Sequence, residues 1–319
     1  MTQAREIGAR FHPFKRIPEL GLLIVLSLSV VLFGTINPYF ATLASLKVLL
    51  VTVLYTGVVV IGEALLMIVG EFDLSVGAIA SIGTISTGLM LKDWKLPLAV
   101  AILLGICLGA LFGFVNGFIT VKIGIPAFIT TLSVMFLARG LSYVLSGGDP
   151  VYPLPGGAGA LSRTEIFGLP SSVWIFLALF LVADQFLRRS VLGRKFYLIG
   201  GNQLAARLSG IKVHKIKIGL FMLSGALSAF AGILLMSKLQ RSDAVTGLGW
   251  ELNVIAAAAV GGIKLTGGAG TLTGAFIGII FLQVVLQGLV MIGLDPMLLD
   301  AIVGVVMIAA VWLAFRKTQ

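Results

Sequence analysis

Long apolar runs separated by short polar breaks dominate this chain. A membrane-spanning helix needs about 20 mostly apolar residues. Runs of that kind fall at 20–36, 46–69, 74–91, 96–121, 127–146, 171–187, 216–237, 250–263, 271–291 and 297–315. They predict an all-α membrane protein with about ten transmembrane helices in a single domain, 1–319. Two runs are weak. The third starts directly after Glu71 and Asp73, and the eighth is short. Short segments interrupted by glycine mark the working part of many transporters.

The breaks set the orientation. The stretch from Arg188 to Lys217 carries Arg188, Arg189, Arg194, Lys195, Arg207, Lys212, Lys215 and Lys217 and no acid. Lys and Arg beside a span resist translocation, so this loop, about 188–215, is expected in the cytoplasm, its Lys and Arg anchoring the topology against headgroups. An N-in, C-in arrangement then puts about sixteen Lys/Arg inside, among them Arg5, Arg10, Lys15, Arg16, Lys122, Lys264, Arg316 and Lys317. About six fall outside, and Arg139 falls within a span. Nine or eleven spans remain open alternatives. The longest outside loop, about 147–170, is rich in Gly and Pro, which favour turns. It is either a solvated connector or a cap that touches a delivery protein.

Composition agrees with the pattern. The chain is 58% hydrophobic and 11% charged, with a mean hydropathy of +1.09; soluble domains are about a quarter charged. The formal charge of +10 sits mostly in the predicted cytoplasmic loops and termini, which argues against a nucleic-acid partner. Cys107 is the only cysteine, so an intrachain disulfide is excluded. The first apolar run lacks a small-residue cleavage site and is expected to be a retained span.

Glycine is frequent and ordered. Gly105, Gly109, Gly113 and Gly117 recur every fourth position, as do Gly270, Gly274 and Gly278. Ser224, Ser228 and Gly232 make a similar set. Residues four apart share a helix face, so each set predicts a flat strip for close helix packing.

Polar groups within spans are few, and each must face protein or water. Glu63, Asn116, Arg139, Trp250, Glu251, Asn253 and Gln287 are the candidates for a substrate pathway; aromatic faces with amides and carboxylates suit hydroxylated solutes. The alternative is that they only bond one another or free carbonyls. Asp184 and Asp300 lie near span ends, Asp184 as an interfacial charge. His12 and His214 have no partners at metal-ligand spacing, so no metal site is expected. The run GGIKLTGGAG at 261–270 lacks the G-K-[ST] ending of a Walker A loop. No ATP site, other cofactor site or hydrolase arrangement is expected in this chain.

Four stretches together resemble one family: GEFDLSVGAIAS (70–81), VNGFITVKIGIPAFITTLSVMFLARGL (115–141), GRKFYLIGGNQLAARLSGI (193–211) and GWELNVIAAAAVGGIKLTGGAGTLTGAFIG (249–278). They are similar to the permeases of bacterial ABC sugar importers of the ribose, xylose and galactose type, a group that also includes autoinducer and, more distantly, nucleoside permeases. The resemblance implies the ABC importer permease fold in the bacterial inner membrane, importing a small polar solute, a monosaccharide in the first place. It implies a second permease subunit, the same or homologous. It also implies cytoplasmic ATPase subunits that hold the ATP and magnesium, and a periplasmic or lipid-anchored solute-binding protein. The family's coupling helix maps onto Gly200, Gly201, Asn202, Ala205, Ala206, Arg207 and Gly210. The local pattern fits: Asn202 is a good N-cap, 203–209 can form two turns, and Gly210 can end them. Ala205 and Ala206 would leave a slim surface for a groove, and Arg207 would meet an acidic rim. An ion-coupled secondary transporter is the rival reading, with Glu63 and Arg139 as its tempting pair. Three positions depart from the family pattern: Glu71-Phe72 where Gly-Gly-Ile is common, Trp250 where Tyr is common, and Leu286-Gln287 where Asn-Asn is frequent.

Overall fold

The apolar runs fold as helices whose ends fall close to the predicted ones. The computed structural model describes residues 19–299, 301–305 and 308. His12, Asp300, Arg316, Lys317 and most of the predicted last span lie outside the described residues. The helices are α1 (Leu20–Ile36), α2 (Leu43–Ile68), α3 (Val76–Lys92), α4 (Leu98–Phe118), α5 (Ala127–Ser146), α6 (Ala160–Arg163), α7 (Ser171–Arg189), α8 (Val191–Gly201), α9 (Gln203–Leu208), α10 (Val213–Leu239), α11 (Trp250–Val260) and α12 (Leu272–Met291). Six of them, α2, α4 with its π-helical end to Ile123, α5, α7, α10 and α12, are long and apolar enough to cross a membrane. Helices α1, α3 and α11 are apolar but shorter. Side-chain caps start four helices: Thr42 on α2, Ser190 on α8, Asn202 on α9 and Thr271 on α12. Such residues satisfy N–H groups that the first turn leaves open.

Helix α10 is the centre of the bundle, with α2, α3 and α4 packed around it. Small residues set the spacing. On α4, a Cβ added at Gly109 or Gly113 would overlap the carbonyls of Gly225 or Phe221 on α10, and one at Gly117 would lie 2.9 Å from the Ile218 Cα. Gly105 faces α3 at Thr87. Gly62 of α2 lies against Ser224, and Gly83 of α3 against Ala229. On α12, Gly274 and Gly278 press on Gly261 and Ala257. Gly270 stands apart from that strip. It precedes α12 with φ +121°, so it is a turn residue and not part of the helix face.

The eighth predicted span differs most. Helix α11 has only 11 residues, about 16 Å at 1.5 Å per residue, too little to cross about 30 Å of hydrocarbon. The non-helical chain before it runs down beside α3. Ser242 meets α3 at Gly88, the Ala244 carbonyl meets Ser81, and Gly247 meets Gly77. Gly247 and Gly249 have φ of +73° and +76°, a conformation that glycine adopts without strain and that keeps the helix from starting earlier. Segment 240–249 and α11 thus form one broken element.

The loop at 147–170 is more ordered than its composition predicts. It holds α6 and a two-residue hairpin, β1 (Glu165–Ile166) with β2 (Leu169–Pro170). Val151 pairs with Ser242, tying this loop to the broken element.

Two alanine substitutions separate packing from propensity. Gly113→Ala forces a methyl into the Phe221 carbonyl and should lower stability by about 1–3 kcal/mol. Gly140→Ala, on α5 with open space around it, should be neutral or stabilising by up to about 1 kcal/mol. Thermal unfolding of the two variants in the same detergent checks the opposite signs.

Candidate functional site: a buried polar node, a broken element and a basic junction

The first cluster joins α2, α3 and α4. Glu63, Asp73, Ser75 and Asn116 are all fully buried. The Asp73 backbone N–H donates to both oxygens of Glu63, at 3.1 and 3.3 Å. The Asp73 carboxylate accepts from the Ser75 N–H and hydroxyl and from the Asn116 amide, which also donates to the Ser75 hydroxyl at 2.8 Å. An Asp that bonds the N–H two residues on is a local turn device. Here the same carboxylate also pins α4. Asp73 and Ser75 belong to the quoted motif, but their partners in α2 and α4 come only from the fold.

The second cluster holds the broken element. Non-helical backbone at membrane depth needs partners from protein or water. Arg139 of α5 donates to the Ala244 carbonyl at 2.6 Å and the Thr246 carbonyl at 2.8 Å, and Ser81 donates to Ala244 at 2.8 Å. Glu251, in the first turn of α11, is the acid electrostatically coupled to Arg139, and its carboxylate lies close to Gly77. Trp250 and Asn253 are partly buried on the same helix. Arg139 and Glu251 are therefore brought together, with Trp250 and Asn253 in the same first turn of α11. Glu63 and Asn116 gather elsewhere, so Glu63 and Arg139 do not form a pair. Gln287 is separate from both: its amide donates to the Ser45 hydroxyl at 2.7 Å and joins α12 to α2.

The third cluster is the basic junction between α7 and α10. Asn202 caps α9 by accepting the Ala205 N–H at 2.9 Å, and Gly210 ends the turn with φ +79°. Helix α9 turns its faces unequally. Ala206 is buried against the main core, whereas Leu204 and Leu208 are 68% and 82% exposed. The outward face is thus made of two leucines with Ala205 and Arg207, which corrects the expectation of a slim surface from both alanines. A recess of about 290 Å³ lies between α8 and α9, lined by Tyr197, Leu198, Gly201, Ala205 and Ile211 among others.

This junction is fastened to the bundle by backbone. Gly200 packs on the Ile68 carbonyl and on Gly267 and Gly268, with no room for a Cβ. The Gly268 N–H donates to that same carbonyl at 2.9 Å. The Tyr197 hydroxyl donates to the Gly270 carbonyl at 2.9 Å, and burial raises its pKa. Lys217 departs from the role of a headgroup anchor. It is 5% exposed and bonds Glu71 at 2.7 Å and Gln203 of α9 at 3.0 Å. One ammonium thus links α10, α9 and the turn that carries Asp73. Asp184 is likewise more than an interfacial charge: it pairs with Arg188 at 2.8 Å and accepts from Thr273 of α12. Among the described residues no group of three His, Cys, Asp or Glu could hold a metal ion.

Comparison with known proteins matches the chain to one family. Residues 45–311 fit the family model described as branched-chain amino acid transport system / permease component. The L-arabinose transport system permease protein AraH of Escherichia coli (strain K12) is 34% identical over 293 residues, covering 92% of this chain and 89% of the relative. The ribose import permease protein RbsC of the same organism is 32% identical over 327 residues, covering 99% and 100%. The autoinducer 2 import system permease protein LsrC of Enterobacter sp. (strain 638) is 34% identical over 292 residues, covering 90% and 84%. No solved structure matches at a significant level. The chain therefore belongs to the branched-chain amino acid transport system / permease component family: it is an inner-membrane permease subunit of the ABC-importer kind and not itself an enzyme.

Proposed function

We propose that this permease carries a monosaccharide inward across the bacterial inner membrane, with ATP and magnesium held by separate cytoplasmic ATPase subunits. A second permease subunit, identical or homologous, completes the pathway, and a periplasmic or lipid-anchored binding protein delivers the solute. About ten spans with both termini inside accommodate the elements, with α8 and α9 in the cytoplasm. The observation that carries this reading is α9: a capped helix with two bare leucines on a basic surface, fastened to the bundle through Gly200 and Lys217. A helix presenting leucines beside Arg207 fits an apolar groove with an acidic rim. The sugar assignment rests on relatives named for arabinose and ribose. The relative named for autoinducer 2 is equally similar and supports the second substrate class, and a nucleoside is the more distant alternative. Arg139, Trp250, Glu251 and Asn253 are the proposed pathway residues; Glu63, Asn116 and Gln287 would act behind them by holding helices in place. Ion coupling is the weaker mechanism, because Glu63 and Arg139 serve separate clusters.

Leu204→Asp with Leu208→Asp should abolish co-purification of the ATPase while leaving membrane insertion and unfolding temperature nearly unchanged, because both side chains are exposed. An intact, transport-competent complex in that variant would remove α9 as the docking element. Uptake into proteoliposomes driven by an ion gradient without any ATPase would overturn the ATP-driven reading itself.

The Lys217 bridge predicts a different defect. Lys217→Met strands a largely buried carboxylate, a loss of about 1.5–3 kcal/mol for a charged hydrogen bond. The complex should still assemble and hydrolyse ATP, with transport per ATP reduced. Exchanging the charges, Glu71→Lys with Lys217→Glu, should restore part of that coupling; equal coupling in all three proteins would show that the bridge transmits nothing.

A further inference from the structure

We infer that the β1–β2 hairpin is a lipid anchor, with Phe167 seated at the boundary between headgroups and acyl chains in the leaflet opposite the basic junction. This goes beyond the transport reading and does not depend on the solute. Phe167 is 92% exposed. It stands with φ +50° at the first tip position of the hairpin, followed by Gly168 at φ +75°. Paired positive φ values at a two-residue tip favour Asn, Asp and Gly, and a bulky residue there is strained. The chain therefore keeps a large ring at a strained, fully projecting position, where folding alone would favour asparagine.

What surrounds the ring identifies the occupant. Phe167 meets Trp174 edge-on, ring centroids 6.0 Å apart at 74°. The Trp174 indole donates to the Ile166 carbonyl at 3.0 Å, which fixes the hairpin over the first turn of α7. Trp174, Ala178, Leu181 and Val182 recur at helical spacing and are all exposed. They form an apolar stripe on a helix long enough to cross the bilayer. The hairpin tip therefore hangs over a stripe that carries no charge and continues it beyond the helix end.

The other exposed aromatics with polar tips point the same way. Among the described residues, every Tyr or Trp with an exposed side chain, Tyr39, Trp94, Tyr143, Tyr152 and Trp174, lies at the end of the bundle opposite α8 and α9. Amphipathic rings gather at the level of lipid headgroups. Phe167, which has no polar tip, packs its ring on Trp174 of this belt.

Depth measurement tests the anchor. In full-length protein with Cys107→Ala, nitroxide labels are placed at Phe167→Cys and at Asp149→Cys, an exposed position in the same loop, and the protein is reconstituted into phospholipid vesicles. The label at 167 should collide more with oxygen than with a water-soluble nickel chelate, and the label at 149 should show the reverse. Nickel accessibility at 167 equal to that at 149 would put the tip in water and overturn the anchor. Shielding of 167 from both reagents would mean that protein covers it, a second copy or an added binding protein, and would overturn it equally.

Discussion

Every backbone N–H and C=O at membrane depth must find a partner in the protein or in water rather than in lipid, and this constraint organises the bundle. Regular helices meet it alone. The chain from Ser242 to Gly249 does not, and its carbonyls at Ala244 and Thr246 are met by the Arg139 guanidinium and the Ser81 hydroxyl. A guanidinium in such a place is costly unless its own charge is balanced, and Glu251 supplies the balance from the far side of the break. Three elements, α3, α5 and α11, thus meet around two carbonyls, with the Arg139 guanidinium and the Glu251 carboxylate, both half-buried, coupled electrostatically. The broken element keeps its shape because these partners fix it.

The small-residue strips complete this arrangement. Polar contacts of 2.6–3.3 Å between helices require close axes, and the glycines of α4 and α12 and the small residues of α10 allow them. Asn116 reaches Asp73 from the same helix whose glycines press on α10. Packing and polar chemistry are therefore two aspects of one spacing.

The sequence made the regular helices legible and left the irregular ones obscure, for a physical reason. A run such as 127–146 has length, hydropathy and a proline before it, and α5 has the same bounds. Asn202 and Gly210 announced a short helix between them, because capping chemistry is local. Segment 240–249 falls between two predicted spans, where it reads as a solvated turn; only its bonds to Ser81 and to Arg139, about a hundred residues earlier, show that it packs against α3 and α5. Lys217 looked like one more cytoplasmic charge, because its partner Glu71 is 146 residues away. Leu204 and Leu208 were hidden in plain view: which face of α9 turns outward depends on the core behind Ala206. Tertiary partnerships of this kind have no signature in spacing.

The contact of Gly200 with Ile68 and Gly268 has a mechanical meaning. Side chains in an interface can rotate and absorb a displacement of an ångström or so. At this contact three main chains touch with nothing between them, and one hydrogen bond closes the gap. Such a joint has almost no slack. A displacement of α8 would meet the end of α2 through main chain, with no side chain between them to absorb it. Helix α8 and the end of α2 are therefore stiffly joined, and compliance must lie elsewhere in the bundle.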